Sequence, residues 1–219
     1  MAIRDEKDLI NERLMDVGLS LMAMAARTAP TFGNRKSVII RAIDAEELEK
    51  IAAGLEEAKD QLPLLRREYQ NVRDHAQAGG KALLVGVNRK SDLNYNCGSC
   101  GFRTCGELNQ SQSELGSSFV GSKGPFCTWK SMDVGIACMA ASAMAHRLGF
   151  QTREYGTVGG VALAMGMIQA DYCTAVTITV TDKNLHFTRT QYWTQEEYKK
   201  GFDAMFPSFN FGFITEGLK

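Results

Sequence analysis

This 219-residue chain carries no excess charge: twenty-five Lys and Arg balance twenty-five Asp and Glu. A neutral chain projects no long-range field to collect nucleic acid or an anionic membrane, so neither is an expected partner. Apolar runs of about 18 residues, which a spanning helix needs, are missing. The first residues, "MAIRDEKDLINERL", are charged where a secretory leader would be apolar, so a cytoplasmic protein is expected. No linker-like stretch divides the chain, and one domain over 1–219 is the reading. Nor is there a convergent set of His, Asp and Glu, so no catalytic residue can be named and enzyme activity, as an oxidoreductase, stays open.

Against these absences stand six cysteines, three of them in "NCGSCGFRTCG" at 96–106. Cys97, Cys100 and Cys105 are followed by Cys127, giving C-x2-C-x4-C-x21-C. In a reducing compartment clustered thiols bind metal or do chemistry rather than form disulfides. Three thiolates in one tight loop can each take a different iron of a [4Fe–4S] cubane, with the fourth ligand arriving from a later segment. Zinc is the second alternative, although structural zinc usually comes between two C-x2-C knuckles and the second knuckle is absent. A redox dithiol at Cys97 and Cys100 is the third, and it leaves Cys105 and Cys127 unexplained. Gly98, Gly101 and Gly106 are expected to let the backbone wrap and aim N–H groups at sulfur, Gly124-Pro125 to present Cys127, and Arg103, Lys123 and Lys130 to offset cluster charge. Cys138 and Cys173 lie in apolar surroundings and read as small buried hydrophobes. His75, His146 and His186, the only histidines, show no metal-site spacing and read as structural.

The rest of the chain sets the fold expectation. Leu9, Ile10, Leu14, Val17, Leu21 and Met22 recur at helical steps across 5–27. A strand is expected at 37–43, a helix capped by Asp44 and Glu47 after it, and a buried strand at 82–87. The region 91–130 loses periodicity and reads as an inserted cysteine-rich loop. A buried helix from about 131 to Gly149, a glycine-rich helix at 158–167 and a strand at 173–181 follow, with His186 and Phe187 alternating as in a strand. Over 194–219, Thr194 and Glu197 suggest a capped helix, and Phe206, Phe209, Phe211 and Phe213 form an aromatic tail expected to pack on something, such as a second subunit. Helices and strands in this order favour an α+β, three-layer α/β/α domain.

"NCGSCGFRTC", "GPFCTWKSMDVGIA", "VGGVALAMGMIQAD" and "TDKNLHFTR", with "TAPTFGNRKSVII" near the start, resemble a prokaryotic family of ferredoxin-domain-containing proteins whose reaction is unassigned. The resemblance implies an iron–sulfur cluster on Cys97, Cys100, Cys105 and Cys127, and a redox partner protein. A wider resemblance, through "AARTAPTFGN" and "DVGIACMAASAMAHRLGF", is to the FMN-dependent nitroreductase fold. It implies a nitroreductase-like sheet, a homodimer and FMN. The usual basic phosphate stretch is missing, and Arg27, Arg35, Lys183 and Arg189 are the candidates to replace it.

Overall fold

The computed structural model describes residues 5–33, 37–60, 65–111 and 124–186, together with 196 and 200. The 194–219 segment, with its aromatic tail, lies outside them except for those two positions.

Among the described residues, the chain runs α1 (Glu6–Leu9), α2 (Glu12–Thr28), β1 (Val38–Ile43), α3 (Ala45–Glu57), α4 (Leu65–Gln77), β2 (Lys81–Val87), α5 (Cys105–Gln110), α6 (Thr128–Arg147), β3 (Gln151–Tyr155), α7 (Gly156–Ala164) and β4 (Tyr172–Thr179). The four strands pair antiparallel in the order β1-β2-β4-β3. Strand β2 is central and buried at every position, as its run of Ala, Leu and Val requires.

Alternation along the strands feeds two cores. Leu83, Val85, Val176 and Ile178 point to one face, where they meet Met15, Leu19 and Met22 of α2 and Val134, Ala137 and Ala141 of α6. Ala82, Leu84, Cys173 and Ala175 point to the other, against Leu48, Ile51 and Leu55 of α3, Val72 of α4 and Val158 and Ala162 of α7. Helices therefore cover both faces of the sheet. This is the expected three-layer α+β arrangement.

Local chemistry sets the boundaries. The single helix expected over 5–27 is two, because Asn11 caps α2 by accepting the Leu14 N–H at 3.2 Å. Asp44 and Glu47 close the expected capping box on α3, the Glu47 carboxylate accepting the Asp44 N–H at 3.1 Å. Lys81, buried at the start of β2, reaches Asp16 at 2.6 Å, Asp44 at 3.0 Å and Glu12 at 3.6 Å. One ammonium thus ties α2 and the α3 cap to the sheet.

Three local expectations change. The 91–130 region is not wholly irregular, because Thr104 accepts the Glu107 N–H and starts α5, and α6 begins at Thr128. "QTREY" forms the edge strand β3, which its polar composition hid. His186 lies in a turn rather than a strand.

Candidate metal centre

The cysteine region sits at one end of the sheet, where β2 ends, β4 begins and α6 starts. Beyond Val87 the chain is pinned from several sides. Arg89 donates its N–H to Asp171 at 2.9 Å and its carbonyl accepts the Cys127 N–H at 3.0 Å. The buried Arg89 guanidinium reaches the Ser111 carbonyl and hydroxyl, and the Pro125 carbonyl at 3.4 Å. It therefore binds together the two ends of the 112–123 segment, whose own residues are not described. Asn109 and Ser91 exchange two hydrogen bonds of 2.8 Å, fixing α5 against the same stretch.

On this frame Cys97, Cys100, Cys105 and Cys127 all line one pocket, with Tyr95, Phe102, Leu108 and Trp129 among its walls. Its free volume is only about 10 Å³, room for about one water. Cys105 and Cys127 are buried, Cys100 is half-buried and Cys97 is exposed. The less buried pair, Cys97 and Cys100, sits in the segment 94–101. That segment is built from left-handed turns: Asn94, Asn96, Gly98 and Gly101 all have positive φ, between 50° and 87°.

Sulfur receives N–H groups from the backbone and from one indole. The Asn96 N–H points to Cys105 Sγ at 3.4 Å, while Asn96 Oδ1 accepts the Cys105 N–H at 2.8 Å. The Trp129 indole N–H donates to Cys97 Sγ at 3.1 Å. Hydrogen bonds from the Ser99 side chain and backbone, joined by Trp129, hold the Cys97 thiol below its ordinary range. Gly106 lies inside α5 and is not forced by crowding, since an added Cβ would meet nothing closer than 3.8 Å.

Of the cations expected to offset charge, Arg103 is 93% exposed and faces Glu107, and the buried Lys130 donates to the Lys90 carbonyl at 2.9 Å. Lys123 lies outside the described residues. Positive potential at the pocket comes instead from the first turn of α6, a 20-residue helix whose N-cap is Cys127 itself.

Asp133 escaped the sequence reading. It is fully buried on α6 and accepts the N–H groups of Phe32 at 2.7 Å and Gly33 at 3.0 Å. Phe32 and Gly33 are thereby tied to the start of α6, and Phe32 packs on Trp129 with ring centroids 4.7 Å apart. Only the register of α6 brings a carboxylate under those two amides. Cys138 and Cys173 are buried, and burial pushes both thiols up to about 12. They stay protonated and inert.

Two of the four flavin candidates, Arg27 and Lys183, fall among the described residues. Arg27 is exposed at the C-terminal end of α2, whereas Lys183 is exposed beyond β4, at the end where Lys81 meets the first turns of α2. Arg35 and Arg189 lie outside the described residues.

Two histidines read as separate structural residues are in contact. His75 Nε2 and His186 Nδ1 lie 3.1 Å apart, both rings are 1% exposed, and the Tyr155 hydroxyl sits 3.3 Å from His186 Nδ1 while donating to Asn71 Oδ1. Spacing could not reveal this, because 111 residues separate the pair.

Among the described residues, no group of three or more His, Cys, Asp or Glu side chains is arranged to hold a single metal ion. The donor set nevertheless suits a soft thiolate-held centre: four sulfurs around one pocket, two of them already accepting N–H groups.

Comparison with known proteins agrees with this class. Residues 123–189 match the family described as uncharacterized proteins containing a ferredoxin domain; the match includes Cys127, and the other three pocket cysteines precede it. A protein of Archaeoglobus fulgidus, described as uncharacterized, is 35% identical over 190 residues, covering 84% of this chain and 96% of its own. The chain belongs to this ferredoxin-domain family, whose description makes an iron–sulfur centre the cofactor class to expect. A solved structure, the hypothetical oxidoreductase YcnD from Bacillus subtilis, superposes with a TM-score of 0.47 at 19% identity, covering 93% of this chain and 76% of that one. No helix among the described residues is long and apolar enough to cross a membrane.

Proposed function

We propose that the protein is an electron-transfer protein carrying a [4Fe–4S] cluster on Cys97, Cys100, Cys105 and Cys127. The observation that carries this reading is the convergence of four thiols, from the 97–105 loop and the start of α6, on one pocket. A cluster there would supply one-electron chemistry, and the chain would tune it with the Asn96 and Trp129 N–H groups and the α6 N-terminus. Exposed Cys97 supplies the edge nearest solvent, facing a redox partner protein.

Anaerobic purification tests the reading. The protein should be brown, absorb broadly near about 400 nm, bleach with dithionite and carry about four irons per chain. Cys105→Ala should abolish loading, while Cys138→Ala leaves it intact. Colourless protein with stoichiometric zinc, or equal loss in both variants, would sink the assignment. A yellow protein with a flavin spectrum would favour an FMN-dependent oxidoreductase.

A homodimer is part of the proposal. Leu14, Val17 and Met24 of α2 and Met132 and Met139 of α6 are each 40–64% exposed on the outer side of one helix layer. A second copy suits this apolar face, because a chain of zero net charge meets no long-range repulsion from itself.

A further inference from the structure

A second cleft opens between α6 and the sheet, on the other side of the segment that presents Cys127. Its volume is about 560 Å³, and Phe126, Ser131, Gly135, Glu154, Tyr172 and Thr174 are among the residues that line it. Drug-sized ligands occupy clefts of this size with this make-up, apolar walls and a few hydroxyls. The Phe126 and Tyr172 rings meet edge to face, centroids 6.2 Å apart at 74°, and form one corner. Thr174 and Tyr172 bring hydroxyl groups suited to carbonyl oxygens, whereas the Ser131 hydroxyl donates to the Cys127 carbonyl at 3.3 Å.

Gly135 adds an independent observation. It lies in the interior of α6, where glycine costs about 1 kcal/mol relative to alanine. An added Cβ there would meet nothing within 4 Å. The fold itself does not need this glycine, and the space it leaves belongs to the cleft. Among the described lining residues Glu154 is the only charged side chain, and it is exposed. A lining carboxylate, with no cation among the described lining residues, disfavours a phosphate there.

We propose that this cleft binds an uncharged, planar conjugated dione of the quinone class, seated against Phe126 and Tyr172 and along Gly135. Such a ligand lies one residue from Cys127. The proposal leans on the cluster reading only for what the ligand is used for, since binding does not require metal.

Duroquinone, whose fully methylated ring does not add thiols, is the probe. Titrated into the full-length protein and followed by saturation-transfer NMR, it should bind, and Gly135→Leu should weaken binding by about tenfold or more. That variant should melt no lower than the parent, because leucine is the better helix former. Phe126→Leu should weaken binding without changing the melting temperature by more than a few degrees. FMN should not displace the probe. No binding up to the solubility limit, equal binding to parent and Gly135→Leu, or displacement by FMN would overturn the proposal. So would a change in particle mass in Gly135→Leu without quinone binding, which would assign the cleft to a second copy. A colourless protein that still binds duroquinone would remove the cluster reading and leave this one standing.

Discussion

Single side chains do the long-range work around the cysteine pocket. Asp133 is a carboxylate with no exposed surface, held by two backbone amides 100 and 101 residues away. Asp133→Ala leaves those amides without their acceptor, and about 2–4 kcal/mol of stability should be lost in urea unfolding. The Phe32–Trp129 contact should loosen with it, visible as a shift in tryptophan emission; an unchanged spectrum and midpoint would count against the role. The histidine pair makes a pH prediction. Burial, reinforced by their neighbouring positive groups, including Arg153, lowers His75 to about 3 and His186 to about 4 from an ordinary 6.5. The folded chain refuses protons that the unfolded chain accepts, so stability is full above about pH 6.5 and falls as pH drops toward 4. Each ring adds up to about 1.4 kcal/mol per pH unit to that slope. His75→Gln should flatten the unfolding free energy between pH 5 and 6, and an unaltered slope would show that the ring is not held neutral.

Elements are positioned by close approach as much as by pattern. Helix α7 packs on β4 at Gly159, where a Cβ would come within 2.4 Å of the Cys173 carbonyl and the Thr174 Cα. Backbone cannot yield as a side-chain tip does, so Gly159→Ala should cost roughly 2–4 kcal/mol in chemical denaturation. A loss below about 0.5 kcal/mol would mean that α7 shifts freely on the sheet. At this scale the sequence was legible where periodicity and caps coincide, as at Asp44-x-x-Glu47 and in the all-apolar β2. It was not legible for β3, whose "QTREY" is polar because an edge strand leaves much of its surface to solvent. That Cys97, Cys100, Cys105 and Cys127 belong together could be read from spacing, and all four line one pocket. Asn96 and Trp129 could not be read as sulfur partners, because a hydrogen bond to sulfur leaves no composition signal.

For the whole molecule, the open question with the simplest measurement is assembly. The exposed apolar face of α2 and α6 predicts a particle of about twice the 24.1 kDa chain mass by light scattering. Val17→Glu together with Met24→Glu should halve it, and a monomeric parent would remove the dimer from the proposal.

The sequence by itself determined the three-layer class, the buried central strand and the thiol set, because each is written in a local pattern: period, cap or spacing. Tertiary structure alone decided that Asp133 meets Phe32 and Gly33, that Arg89 joins Ser111 to Pro125, that His75 touches His186, and that a cleft opens beside Cys127. Those contacts depend on how antiparallel β1-β2-β4-β3 pairing brings distant ends of the chain together. Side-chain reach of a few ångströms then selects partners that no neighbouring residue announces.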